Sequence, residues 1–89
     1  MKRVRITRQH KWQDGNAKKV DNTTPWGNDA ANWKEVGRAE AVRLFYQKYH
    51  NDKEYRKAVR EHLRGYDLAC WCPLDEPCHA DCLMKWANE

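Results

Sequence analysis

Long apolar runs are missing from this 89-residue chain, and nothing in it approaches the roughly eighteen consecutive apolar residues that span a bilayer. Met1-Lys2-Arg3 is not followed by the apolar stretch of a secretory leader, so the expectation is a soluble cytoplasmic protein. Internal repeats, low-complexity tracts and a concentrated basic tail are also absent, and the length leaves no room for a second core. The chain, 1–89, is therefore read as one domain, with 1–24 the less regular part. Apolar residues are few, at 40% against 34% charged, and the mean hydropathy is −1.14. With a single Phe, the core must draw on five Trp and four Tyr, which supply large units of buried area. Small domains of this kind often need a metal or a disulfide to hold together, which gives the four cysteines weight. In a reducing cytoplasm, clustered cysteines point to metal ligands or catalytic thiols rather than bridges.

The periodicities predict a small α+β domain of short strands with about three helices. Val4 and Ile6 alternate with polar neighbours, giving a strand over Arg3 to Thr7 with a basic face. Arg8 to Asn32 reads mostly as loop, with a short strand at Ala17 to Val20. Within it, Pro25-Trp26-Gly27-Asn28 suits a turn with positive φ at Gly27 or Asn28, anchored by Trp26. Val42, Phe45, Tyr46 and Tyr49 fall on one face of a helix over Arg38 to His50. A second helix, Lys53 to Arg64, takes its cap from Asn51 or Asp52, turns Tyr55, Ala58, Val59, His62 and Leu63 inward, and stops at Gly65. Asp67 to Cys72 reads as a buried strand, and Cys78 to Ala87 as the closing helix, with Leu83, Met84 and Trp86 available for packing.

The chemistry concentrates in CWCPLDEPCHADC, Cys70 to Cys82. Strand alternation puts Cys70 and Cys72 on one face, and the turn through Pro73 and Pro77 can fold Cys78 and His79 back onto them. Three thiolates and an imidazole make an ordinary structural zinc set, so Cys70, Cys72, Cys78 and His79 are the expected ligands. Cys82, on the same side of the helix as Cys78 and His79, is a reserve. Thiolates also suit iron. A catalytic alternative uses the same segment: a helix N-terminus favours a Cys78 thiolate, with His79 or Asp81 as proton carrier. Unpaired N–H groups at Cys78 to Asp81 would also attract a phosphate, while Asp81 can equally be a simple cap.

Trp12, Trp26 and Trp33 lie where exposed rings could stack on bases, or where they could anchor loops on a small core. Trp71 and Trp86 are expected inside. Arg3, Arg5, Arg8, Lys11, Lys18 and Lys19 make the N-terminal segment the most basic part of a chain of net charge +4, suited to phosphate contacts or simply solvated. His10, His50 and His62 are scattered, without convergent neighbours.

Three segments, WGN at Trp26 to Asn28, RAEAV at Arg38 to Val42, and LRGYDLACWCPLDEPCHADCL at Leu63 to Leu83, resemble an uncharacterised family of bacteriophage and bacterial genomes. The resemblance covers roughly Pro25 to Asn88. It implies that Cys70, Cys72, Cys78, His79 and Asp81 are motif positions, whereas Cys82 stands where many members have an apolar residue. The chain departs from it at Asn28-Asp29-Ala30, in place of Asn-Pro-Phe, and at Val20-Asp21-Asn22, in place of Val-Gly-Arg. The resemblance implies no reaction. The expectation is a zinc-stabilised module that binds a protein or a nucleic acid in the host cytoplasm. The alternative is a small enzyme using Cys78, His79 and Asp81 on a nucleotide or nucleic-acid substrate.

Overall fold

The computed structural model describes residues 1–8 and 15–89, so His10, Lys11 and Trp12 lie outside the described residues. Its centre is the strand Asp67–Cys70, in which Leu68, Ala69 and Cys70 are all buried. A continuous apolar run of this kind is what a strand covered on both faces requires. Numbered in chain order, β1 is Arg3–Arg5, β2 is Ala17–Lys19 and this strand is β3. Both β1 and β2 pair with β3 in parallel, in the order β1-β3-β2, with Val4 opposite Ala69 and Lys18 opposite Leu68. The pairing runs one step beyond each edge strand, through Ile6 N–H to the Cys70 carbonyl at 2.8 Å and Val20 N–H to the Ala69 carbonyl at 2.9 Å. The carboxyl ends of all three strands therefore meet at one edge of the sheet.

Among the described residues three helices lie between β2 and β3, α1 Trp33–Val36, α2 Arg38–Tyr49 and α3 Lys53–Leu63, and one follows β3, α4 His79–Ala87. The single turn α1 falls where the sequence shows no period. It forms because Asn32 caps it, accepting from Lys34 N–H at 3.0 Å, and Gly37 at φ 88° breaks it from α2. Asp52 caps α3, as its position suggests, and Gly65 at φ 87° lies just past its end. α4 packs against α3, α2 and β3, burying Leu83, Trp86 and Ala87. Among the described residues no helix is long and apolar enough to cross a membrane.

Aromatic rings fill the helical half of the core. Phe45 lies 5.1 Å from Tyr49, 5.9 Å from Trp86 and 5.3 Å from the His79 ring, centroid to centroid. Tyr55 stacks on Tyr49 at 3.9 Å and meets Trp26 edge-on at 5.9 Å. Trp26 is thus the expected loop anchor.

Several expectations change. The inward face of α2 is Ala41 and Phe45 rather than Val42 and Tyr46, and Tyr46 is exposed, because α4 approaches one residue position round the helix. His62 is exposed on α3 and touches the Trp26 ring instead of entering the core. β3 stops at Cys70, since Trp71 and Cys72 already belong to the turn, and Trp71 is 50% exposed rather than interior. Positive φ occurs only at Gly37 and Gly65 among the described residues, not at Gly27 or Asn28. Gly27 serves another need: a Cβ there would stand 2.5 Å from Asn22 Cα and 2.7 Å from the Asp21 carbonyl oxygen. The turn closes only around a residue without a side chain.

Candidate metal centre

β3 delivers Cys70 to the carboxyl edge of the sheet, the following turn carries Cys72 back over it, and the residues from Pro73 to Pro77 return the chain to Cys78. Cys78 is the N-cap of α4, extended at φ −147°; its sulfur accepts from Asp81 N–H, and the Asp81 carboxylate accepts from Cys78 N–H at 3.3 Å. This reciprocal cap fixes the sulfur at a helix N-terminus, where a negative charge is favoured. The sulfurs of Cys70, Cys72 and Cys78 lie within 4.8 Å of one another, and Cys70 and Cys72 are 3.8 Å apart. Two thiolates on one tetrahedral zinc, with bonds near 2.3 Å, stand about 3.8 Å apart, so the spacing fits that ion.

His79 completes the surroundings from one side. Its Nε2 lies 2.7 Å from the Val20 carbonyl, which can only accept, so Nε2 carries the proton and Nδ1 keeps a free lone pair. That Nδ1 is 3.6 Å from Cys78 Sγ, although it stands outside the radius shared by the three sulfurs. A ligating imidazole held through its other nitrogen by a backbone carbonyl is the usual outer arrangement of a metal site. Burial holds the His79 pKa below its ordinary value, which keeps the ring neutral and able to ligate. The Cys72 thiol is held far down because Cys70 and then Cys78 donate to it, while Cys70 is pushed up by donating to Cys72, and Cys78 by its contacts with Cys70 and then Cys72. Three thiols this close can hold one cation, which would displace their protons.

Cys82 does not join the three. It packs at the margin of the core, where burial raises its thiol to about 11. Asp81 is exposed and pairs with Arg3, Nε to Oδ1 at 3.4 Å, in addition to capping. Of the residues named for a catalytic site, Cys78 is 1% exposed and His79 5% exposed, at the floor of a cleft, and only Asp81 faces solvent.

Arg3 has a role that its basic neighbourhood hid. Rather than facing solvent, its guanidinium donates to the carbonyls of Leu74 at 2.7 Å and Glu76 at 2.9 Å, tying down the loop between Cys72 and Cys78. Lys18 is likewise engaged, bonding the His62 carbonyl at 2.9 Å with its ammonium 4.3 Å from the Tyr66 ring centroid. Lys19 pairs with Asp21 at 3.5 Å. Asp21 was also missed. It is buried, accepting from Thr23 and from Trp71 Nε1 at 2.8 Å. The signal available for it was the departure at Val20-Asp21-Asn22.

A family model described as a domain of unknown function (DUF4326) matches residues 3–89. The chain belongs to the DUF4326 family. The match reaches back to Arg3, well before Pro25, so it takes in β1 and β2, the strands that flank the thiol-bearing strand. No curated protein and no solved structure matches this DUF4326 chain. The three thiols and His79 form one wall of a cleft of about 840 Å³ at the carboxyl edge of the sheet, which Trp71, Asp21, Arg38 and Trp33 also line.

Proposed function

We propose that this protein is a small zinc-binding module in which Cys70, Cys72 and Cys78 bind the ion and His79 closes the site through Nδ1. The observation that carries the reading is the convergence of three sulfurs within 4.8 Å, one from the end of a strand, one from a turn and one from a helix cap. The ion would join the central strand to α4 and so act on the fold, since two of its ligands and the imidazole are buried. Burial of Cys78 and His79, with Asp81 committed to the cap and to Arg3, favours a structural metal over a Cys78-based enzyme. The broader reading is a phage-type module of the host cytoplasm that works by binding a protein or a nucleic acid. Its support is the resemblance of the motifs, the net charge of +4 and the cleft beside the centre.

Metal analysis of freshly purified protein tests the reading, with about one zinc per chain expected and cooperative unfolding lost on chelation. Cobalt substitution reads the ligands directly. Charge-transfer intensity for three thiolates and a tetrahedral ligand-field spectrum are expected, and His79→Ala should alter the second without reducing the first by a thiolate's share. Metal-free protein that folds cooperatively would overturn it.

A further inference from the structure

The cleft is not a by-product of the thiol turn, because separate contacts hold its walls in place. Trp71, half-exposed at its edge, has its indole N–H fixed by Asp21, whose carboxylate is in turn held by Thr23. Trp33, 43% exposed, carries the Arg38 guanidinium 3.9 Å from its ring centroid. Two half-exposed Trp rings thus line one cleft, and an aromatic side chain left in water is a stacking surface for an aromatic ligand. The charges are arranged unevenly. Asp21 is neutralised by Lys19, and Asp29 by Lys48 and a bond from Tyr49. Arg38, largely covered, has as its carboxylate partner the exposed Glu76 at 2.5 Å, whose place an anion in the cleft can take. Lys34 also lines the cleft. The position, outside the carboxyl ends of parallel strands, is where open sheets of this type take ligands, and the volume suits a small molecule.

We infer that the cleft binds a nucleotide, with its base on the faces of Trp33 and Trp71 and its phosphate on Arg38 in exchange for Glu76. This names the ligand of the proposed module and rests on that reading only in that the metal holds Cys72, and with it Trp71, in place. The base can belong to a free nucleotide or to a single strand, and the chemistry in the cleft is the same.

The test uses the full chain with its zinc content measured in each sample, and reconstituted with zinc where it is low. Indole N–H resonances, assigned by single Trp→Phe variants, are followed while the four ribonucleoside monophosphates, their nucleosides, ribose 5-phosphate and a short mixed-sequence single strand are titrated to about 1 mM, a weak limit for specific binding. Saturable shifts of Trp33 and Trp71 with monophosphates are expected, weaker with nucleosides. Trp71→Ala should weaken binding about tenfold, as loss of one stacking surface does, while Trp71→Phe retains most of it. Arg38→Gln should remove the preference for monophosphate over nucleoside. A single strand that binds more tightly per site identifies the source as nucleic acid, and equal or weaker binding identifies it as free nucleotide. Unmoved Trp33 and Trp71 resonances in zinc-loaded protein would overturn the inference while leaving the metal reading intact. Shifts that ribose 5-phosphate reproduces in full would overturn it as well, since the base would then contribute nothing.

Discussion

The two halves of this small protein hold together by different physics. On one side, Phe45, Tyr49, Tyr55, Trp86 and Trp26 form a chain of ring contacts among α2, α3, α4 and the loop before α1. Each such contact adds about 0.5–1.5 kcal/mol beyond burial, and many of them share the load. On the other side, the end of β3, the turn after it and the start of α4 bring three sulfurs within 4.8 Å of one another. If the thiols hold a structural ion, the first half should weaken gradually as contacts are removed and the second should fail with one centre. His79 belongs to both, with its ring 5.3 Å from Phe45 and its Nδ1 beside Cys78.

Cys78→Ala should show the contrast most sharply. Bound metal should fall to near zero and cooperative melting should be lost, since a structural zinc can carry on the order of 10 kcal/mol of folding free energy in domains of this size. Cys82→Ala is the control and should keep its zinc; metal analysis and thermal melts of the pair decide whether the thiols have been correctly divided. Phe45→Ala comes next, at about 3–5 kcal/mol by denaturant titration, with one zinc retained per folded chain. Loss of zinc in that variant would mean that the halves are not separable. Gly27→Ala should cost about 1–3 kcal/mol, because its methyl group must displace the backbone at Asp21 and Asn22. The change should also perturb Trp71, whose indole N–H rests on Asp21. Smallest is Arg3→Ala. Releasing the loop carbonyls should weaken zinc affinity about tenfold, measured by competition with a chelating dye, with a minor effect on the melt.

The helices α2, α3 and α4 and the strand β3 were legible because their signals are local, whereas the single turn α1 was not. Asp52 and Gly65 bracket α3 by capping and left-handed geometry, and an unbroken apolar run marks β3. The thiol segment was legible for a similar reason, since Cys70, Cys72 and Cys78 are close in the chain and separated by a turn. On α2 the expected stripe of Val42, Phe45, Tyr46 and Tyr49 was right for Phe45 and Tyr49, while Ala41 is buried in place of Val42 and Tyr46, since neighbouring stripes fit the same period. What chose between them was the approach of α4, which carries no mark in the sequence of α2.

The sequence by itself determined the element types, the small aromatic core and the residues able to hold a metal, all of which follow from side-chain chemistry at short separation. Only the tertiary structure decided that Cys82 stands apart, that Arg3 ties the loop between the cysteines, and that Asp21 supports an exposed Trp71 beside a cleft. These roles depend on parallel pairing that puts residues 21 and 71 level beyond the strand ends and sets Arg3 beside Leu68, from where its side chain reaches the loop. Pairing between strands so far apart in the chain is fixed by shared burial, and no local pattern encodes it.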